Sequence, residues 1–255
     1  MYASPAKDEI LASAGQNVAC GRLTRMNSDR PRSPSARAVN PDAGDHAITG
    51  DPIEWDAAQA AAHRSWREFP YYSHRYGERG WRFTLSDSAW IVTLCAMNTE
   101  AAERQIRWLR ELLVNRGMPS YLLERHLDFL CEELTRRAPE RESGNSALFD
   151  CAALLRAERE RALTDAEFQG EALRFNAAVH ELPCAIPRMG AVLVGTLVDE
   201  LLGFDAVLGR PSAIAWSSDR GHFSSPWITE VEQTAARVRH SVRLAATLKP
   251  QQRPR

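Results

Sequence analysis

The longest apolar run of the chain, "GAVLVGTLV", closes on two adjacent acids, Asp199 and Glu200. An unpaired charge buried beside such a run costs several kcal/mol. Carboxylates placed there are therefore expected to meet arginines, or else to act as proton acceptors or metal ligands. Arg75, Arg79, Arg82 and Arg188 are the expected partners. A helical metal-dependent enzyme would add His180 and Cys184 to the two acids. Both stand in "HELPC", which departs from H-E-x-x-H: Cys184 replaces the second histidine, and Pro183 breaks the helix that would align the ligands. His180 also suits a helix C-terminus, where the dipole favours a cation.

A second group of candidates is "YYSHRYGERGWRF", residues 71 to 83. Gly77 and Gly80 are expected to interrupt helix there. Tyr72, Arg75, Tyr76, Arg79, Trp81 and Arg82 combine amphipathic rings with guanidinium groups that hold planar anions, the chemistry of a site for a protein partner or a small anionic ligand. The same residues also suit a structural corner locked by arginine–carboxylate pairs. His126 flanks a leucine stripe, where a helix can offer an axial ligand to haem or cobalamin, although a lone histidine so placed more often packs in a core. His74 and His240 read in the same way. The seven tryptophans suit core filling better than a ligand cavity.

Several chemistries are excluded by inspection. No G-x-G-x-x-G follows a strand pattern, and "GAVLVGT" lacks the lysine of a phosphate loop. No Glu-x-x-His occurs, so the ligand pattern of di-iron bundles is missing. The 32 basic and 33 acidic residues cancel, leaving no overall field to draw the chain to nucleic acid or anionic membranes. Lys7 and Lys249 are the only lysines, and the bias to arginine is that of a GC-rich bacterial genome. Five cysteines at wide spacings, without C-x-x-C, argue against a disulfide scaffold or a zinc ribbon. No apolar run approaches the roughly 20 residues of a membrane span. The N-terminus lacks the pattern of a signal peptide, so a cytoplasmic location is expected.

The elements that must position these residues read as helices throughout. Residues 1–50 are poor in large apolar side chains, and their six basic and six acidic residues through position 53 cancel; a disordered tail is expected, with Met26 as a second possible translation start. Asp51, Pro52 and Glu54 open a helix that Pro70 stops. Others are expected after Ser86 and Asp87, from Thr99 to Asn115 through Gly117, and from Pro119 through a stripe of Leu123, Leu127, Leu130 and Leu134. The short connection between the last two predicts an antiparallel hairpin, with Arg104, Arg107 and Arg110 toward solvent. After the loop "PERESGNS" come a shorter helix through "NSALFDCAALLRAERERAL", one capped by Thr164 and Glu167, and one opening at Pro187. That last helix is apolar around its circumference, and hence central, and its Gly190 and Gly195 imply close approach by a neighbour. The last helix starts at Ser225, with Ile228, Val231, Ala235, Val238 and Val242 inward. The expected fold is all-α: a single globular bundle of eight or nine helices, 51–248, in two halves (51–139 and 146–248), with 249–255 disordered.

Residues 75–134, "RYGERGWRF...SDSAWIVTL...IRWLRELLVNRGMPSYLLERHLDFLCEEL", resemble helical modules adjoining the cobalamin domains of bacterial regulators. That resemblance implies a sensory role with a tetrapyrrole-type ligand. Those modules pair a tryptophan with a closely following Glu-His. Here Trp108 and Glu124-Arg125-His126 are spaced differently, an arginine splits the pair, and no corrin-binding α/β domain follows. The leading expectation is a non-enzymatic regulatory or accessory module acting through the arginine–aromatic segment. The alternatives are a haem- or cobalamin-binding sensor, in which His126 or His180 ligates the cofactor and Arg75, Arg79 or Arg82 meets its carboxylates, and a metal-dependent enzyme using His180, Cys184, Asp199 and Glu200.

Overall fold

Aspartate followed by proline starts the first long helix. The structure is a computed structural model describing residues 34–140, 145–183, 185–204 and 211–248. In it α1 runs Pro52–Glu68, with the Asp51 side chain accepting from the amides of Ile53 and Glu54. Eight further α-helices follow among the described residues: α2 (Tyr71–Ile91), α3 (Thr99–Val114), α4 (Ser120–Arg137), α5 (Ser146–Ala162), α6 (Asp165–Val179), α7 (Met189–Leu201), α8 (Ala213–Ser217) and α9 (Ser225–Leu248). An isolated bridge between Ser35 and Ala47 is the only β-pairing found there, so the fold is all-α. No described helix is long and apolar enough to cross a membrane.

Capping residues account for most boundaries. Asn98 accepts from the Ala101 amide to open α3, and Gly117 at φ 77° ends the turn after it. Thr164 and Glu167 form the expected capping box on α6. Four boundaries differ from expectation. The helix placed after Ser86 begins at Tyr71 and crosses the glycines: only Gly77 leaves helical geometry (φ 55°), joining two stretches across a kink. Residues 34–50, expected in the tail, are folded; Ala36 and Ile48 are buried and the Thr49 amide donates to Ala89 O. Small apolar residues with satisfied backbone groups suffice to seat that strap. The rest of the expected tail, residues 1–33, lies outside the described residues, as do 141–144 of the loop and 249–255. Finally, α7 starts at Met189 after Arg188 in left-handed geometry (φ 59°), and the short α8 was not foreseen.

Two hydrophobic cores meet along α4. Tyr121 and Leu122 belong to one, with α6, α7 and α9; Leu123, Leu127, Leu130 and Leu134 belong to the other, with α1, α3 and α5. The division therefore falls after α5 and not at the "PERESGNS" loop: Leu148, Cys151 and Leu155 of α5 fill the N-terminal core. For the same reason α3 lies mainly along α5 and only lightly against α4, in place of the expected hairpin. Arg107 and Arg110 of α3 both pair with Glu158 of α5, which holds the two helices together.

The apolar α7 is central, with every residue from Met189 to Asp199 buried. Its glycines mark two crossings. A Cβ on Gly190 would overlap the Ala172 carbonyl oxygen of α6, and one on Gly195 would stand 2.9 Å from Tyr121 Cβ of α4. Gly190→Ala is accordingly expected to destabilise by about 1–3 kcal/mol despite alanine's better helix propensity, because the obstacle is backbone. Gly170→Ala, on the exposed face of α6 with nothing within 4 Å of the new atom, is expected to stabilise by about 0.5–1 kcal/mol. Urea denaturation of the two variants checks the opposite signs.

Candidate functional site

The C-terminal end of α7 brings its acids to the start of α4. Asp199 is 2% exposed, and its Oδ2 accepts from the Ser120 amide at 2.8 Å. No cation among the described residues lies within ion-pair reach of it. Burial, opposed by the Ser120 hydrogen bonds and by Arg110, pushes the Asp199 carboxyl up to about 7. Glu200 pairs with Arg239 of α9 at 2.8 Å. Both acids floor a cleft of about 360 Å³ whose walls include Val114, Met118, Pro119 and Phe204. That volume is in the range of small-molecule sites.

Behind Asp199 lies a run of buried charge at the junction of the two cores. Glu124 of α4 accepts from Arg159 Nε at 2.9 Å and Nη2 at 3.1 Å, and from Arg156 Nε at 3.2 Å. Glu158, next in sequence to Arg159, holds Arg110 and Arg107; burial raises its carboxyl, but the two guanidinium groups outweigh that and set it below the usual range. A void with room for about one water separates these pairs from Asp199. Arg110 Nε and Arg159 Nη1, both buried and without a hydrogen-bond partner, belong to residues lining it. The Arg110 guanidinium also covers the Phe204 ring at 4.1 Å, so Phe204 screens it from the cleft.

Arg110, Glu124, Glu158 and Arg159 were not singled out from sequence, and Arg110 was placed toward solvent. A signal was present. Arg110 stands four residues after Ile106, Glu124 three before Leu127, and Glu158 and Arg159 three and four after Leu155; each continues an apolar stripe. Counting a charge as solvent-facing by type hid its position on the buried face.

The structure disperses the other expected sites. None of Arg75, Arg79, Arg82 and Arg188 pairs with Asp199 or Glu200. Arg79 meets Asp42, Arg82 meets Glu78, and Arg188 meets Glu68. Arg75 donates to Gly117 O at 3.0 Å, to Pro211 O and to the Tyr71 hydroxyl, and stacks near Tyr71, Tyr76 and Trp216. Tyr76 donates to Arg116 O, Tyr72 stacks on Trp66, and Trp81 packs against Trp66 and His63. The segment is thus joined to the turn after α3 by guanidinium-to-carbonyl bonds where carboxylate pairs were expected. Since Gly117 and Pro211 also border the cleft, Arg75 braces its rim.

His126 is buried with both ring nitrogens engaged, Nδ1 with Ser65 Oγ at 2.8 Å and Nε2 with Ser88 Oγ at 2.9 Å. Burial lowers its pKa to about 4, so it is a neutral core histidine. Axial ligation would break one of these bonds and open the junction of α1, α2 and α4, so the expected cofactor position is corrected. His180 is exposed and bonded to Ala177 O at the end of α6. Asp199 stands ten residues beyond the start of α7, about 15 Å along its axis. Cys184 lies outside the described residues. No cluster of three or more metal-ligating side chains occurs among the described residues, so His180, Asp199 and Glu200 do not form one there. The Cys95, Cys131 and Cys151 thiols are pushed up to about 12, about 12 and about 11 by burial, as suits core packing.

No protein-family model, curated protein or solved structure matches the chain.

Proposed function

We propose that the chain is a ligand-binding module of regulatory or accessory type, with its ligand seated in the cleft at the C-terminal end of α7. The observation that carries this reading is Asp199: a buried carboxyl with no ion-pair partner among the described residues, on a residue that lines a cleft, is costly to keep unless a ligand uses it. The arginine–aromatic segment serves the same site indirectly, through Arg75 at the rim. Hydroxyls around the cleft are engaged by local backbone groups, Thr196 donating to Val192 O and Ser212 accepting from the Ala215 amide. That arrangement favours binding over nucleophilic catalysis.

The test is ligand-observed NMR of the full chain with a fragment panel of neutral, anionic and cationic members. Ala215 is exposed at the rim, so Ala215→Trp obstructs the cleft without entering a core. Fragments are expected to bind the native chain and to lose about tenfold or more in affinity in Ala215→Trp at an unchanged thermal midpoint. A silent panel, or binding indifferent to the tryptophan, would overturn the reading.

A further inference from the structure

Among the described residues the cleft is one-sided in charge: the ionisable ones lining it are Asp199 and Glu200, both acids. The charged and polar groups around Asp199 are Arg110 of α3, Ser120 and Glu124 of α4, Glu158 and Arg159 of α5, and its own neighbour Glu200. Each of the three glutamates has an arginine of its own: Glu124 has Arg159, Glu158 has Arg110 and Glu200 has Arg239. Arg110 reaches the cleft side only from behind the Phe204 ring. Among these carboxyls, Asp199 alone has no ion-pair partner within the described residues, Arg110 acting on it only from a distance, and the residue lines the cleft. Apolar walls at Val114, Met118, Pro119 and Phe204 complete the chemistry.

We infer that the ligand is a small organic cation, a primary ammonium or guanidinium head on an apolar body, whose head pairs with the Asp199 carboxylate as that group gives its proton to solvent. The inference rests on the cleft reading above and names its ligand class. The one covalent change is proton transfer: the Asp199 O–H breaks, water or buffer base takes the proton, and N–H donors of the ligand bond to the carboxylate left behind. The ligand supplies the charge that the fold leaves out, while its body buries against the four apolar walls. A carboxyl poised near neutrality makes the exchange inexpensive, since near pH 7 the group is already divided between its two forms.

Calorimetry of the full chain with phenethylamine, 2-phenylethanol and 3-phenylpropionate, in two buffers of different ionisation heat, tests this. Phenethylamine is expected to bind about tenfold or more tightly than the other two, and to release a fraction of a proton that grows from about pH 7.5 to about pH 6. Asp199→Asn is expected to lose both the preference and the proton release. If the alcohol or the acid binds as well as the amine, and Ala215→Trp abolishes that binding, the cleft reading stands and the cation inference falls. Amine binding that survives Asp199→Asn, or occurs without proton release, also overturns the inference. No binding by any of the three, together with a silent fragment panel, removes both readings.

Discussion

Glu124→Ala is expected to cost the fold about 3–5 kcal/mol, far more than truncating any surface acid of the same chain. Glu124 is 2% exposed and holds Arg159, itself 5% exposed, through two hydrogen bonds. Removing the carboxylate leaves a buried guanidinium whose remaining acidic contacts are Asp165 at 3.1 Å and the more distant Glu160, both largely solvated. The adjoining void has room for only about one water, so most of the desolvation penalty of Arg159 goes uncompensated. Glu100, paired with Arg104 on the exposed face of α3, provides the contrast: its truncation is expected to change stability by no more than about 0.5 kcal/mol. Equilibrium denaturation of Glu124→Ala, Glu100→Ala and the double replacement Glu124→Met with Arg159→Leu separates the terms. The double variant is expected to recover most of the single variant's loss, because it leaves no charge stranded. A small loss in Glu124→Ala would mean that the pair is solvated.

Asp199→Asn is expected to turn a nearly level pH dependence of stability between about pH 4 and 6.5 into a rising one. The Asp199 carboxyl is higher in the folded chain, about 7, than in an unfolded one, where 3.8 is usual. Between those values the folded state holds a proton that the unfolded state has lost. The contribution is therefore complete below about pH 4 and disappears as pH rises through about 7. His126 runs the other way. Its folded value of about 4 lies below the usual 6.5, so its contribution is complete above 6.5 and is lost as pH falls toward 4. From about pH 4 to 6.5 the two slopes, each about 1.4 kcal/mol per pH unit, oppose one another. Asparagine keeps the shape of the side chain and an acceptor for the Ser120 amide, but it cannot ionise. In the variant the His126 slope stands alone, and at about pH 7.5 the variant is expected to exceed the native chain in stability by an amount on the order of a few kcal/mol. Urea curves at four pH values between about 4.5 and 7.5 make the comparison. Parallel stability profiles for the two proteins would show that Asp199 ionises normally.

What could be read beforehand follows from how far each signal reaches along the chain. The capping box of α6, the start of α1 at Pro52 and the inward row of Ile228, Val231, Ala235 and Val238 on α9 are local patterns, and all four of those α9 side chains are buried. Val242 completes that row in the sequence, but its side chain lies outside the described residues. Gly190 and Gly195 implied close approach, and the structure supplies the neighbours, Ala172 and Tyr121. The arginine partners were not legible, because an ion pair such as Arg79 with Asp42 or Arg239 with Glu200 depends on tertiary distance and leaves no mark in spacing. The first turns of α2 were hidden by its glycines: Gly80 is helical because its neighbours pack, and Gly77 bends the helix without ending it. Asp199 stands out in the sequence as an acid closing an apolar run, and it is buried. Its surroundings are not legible there, since they are assembled from α3 and α4 of one expected half and α5 of the other.

Titration of the Asp199 side-chain carboxyl by carbon-13 NMR in the full chain, assigned by its loss in Asp199→Asn, tests the claim on which the cleft reading depends. A midpoint near 7 is predicted, moving well down when phenethylamine saturates the chain. A midpoint near the ordinary 3.8, unmoved by the amine, would show a solvated acid and contradict the account.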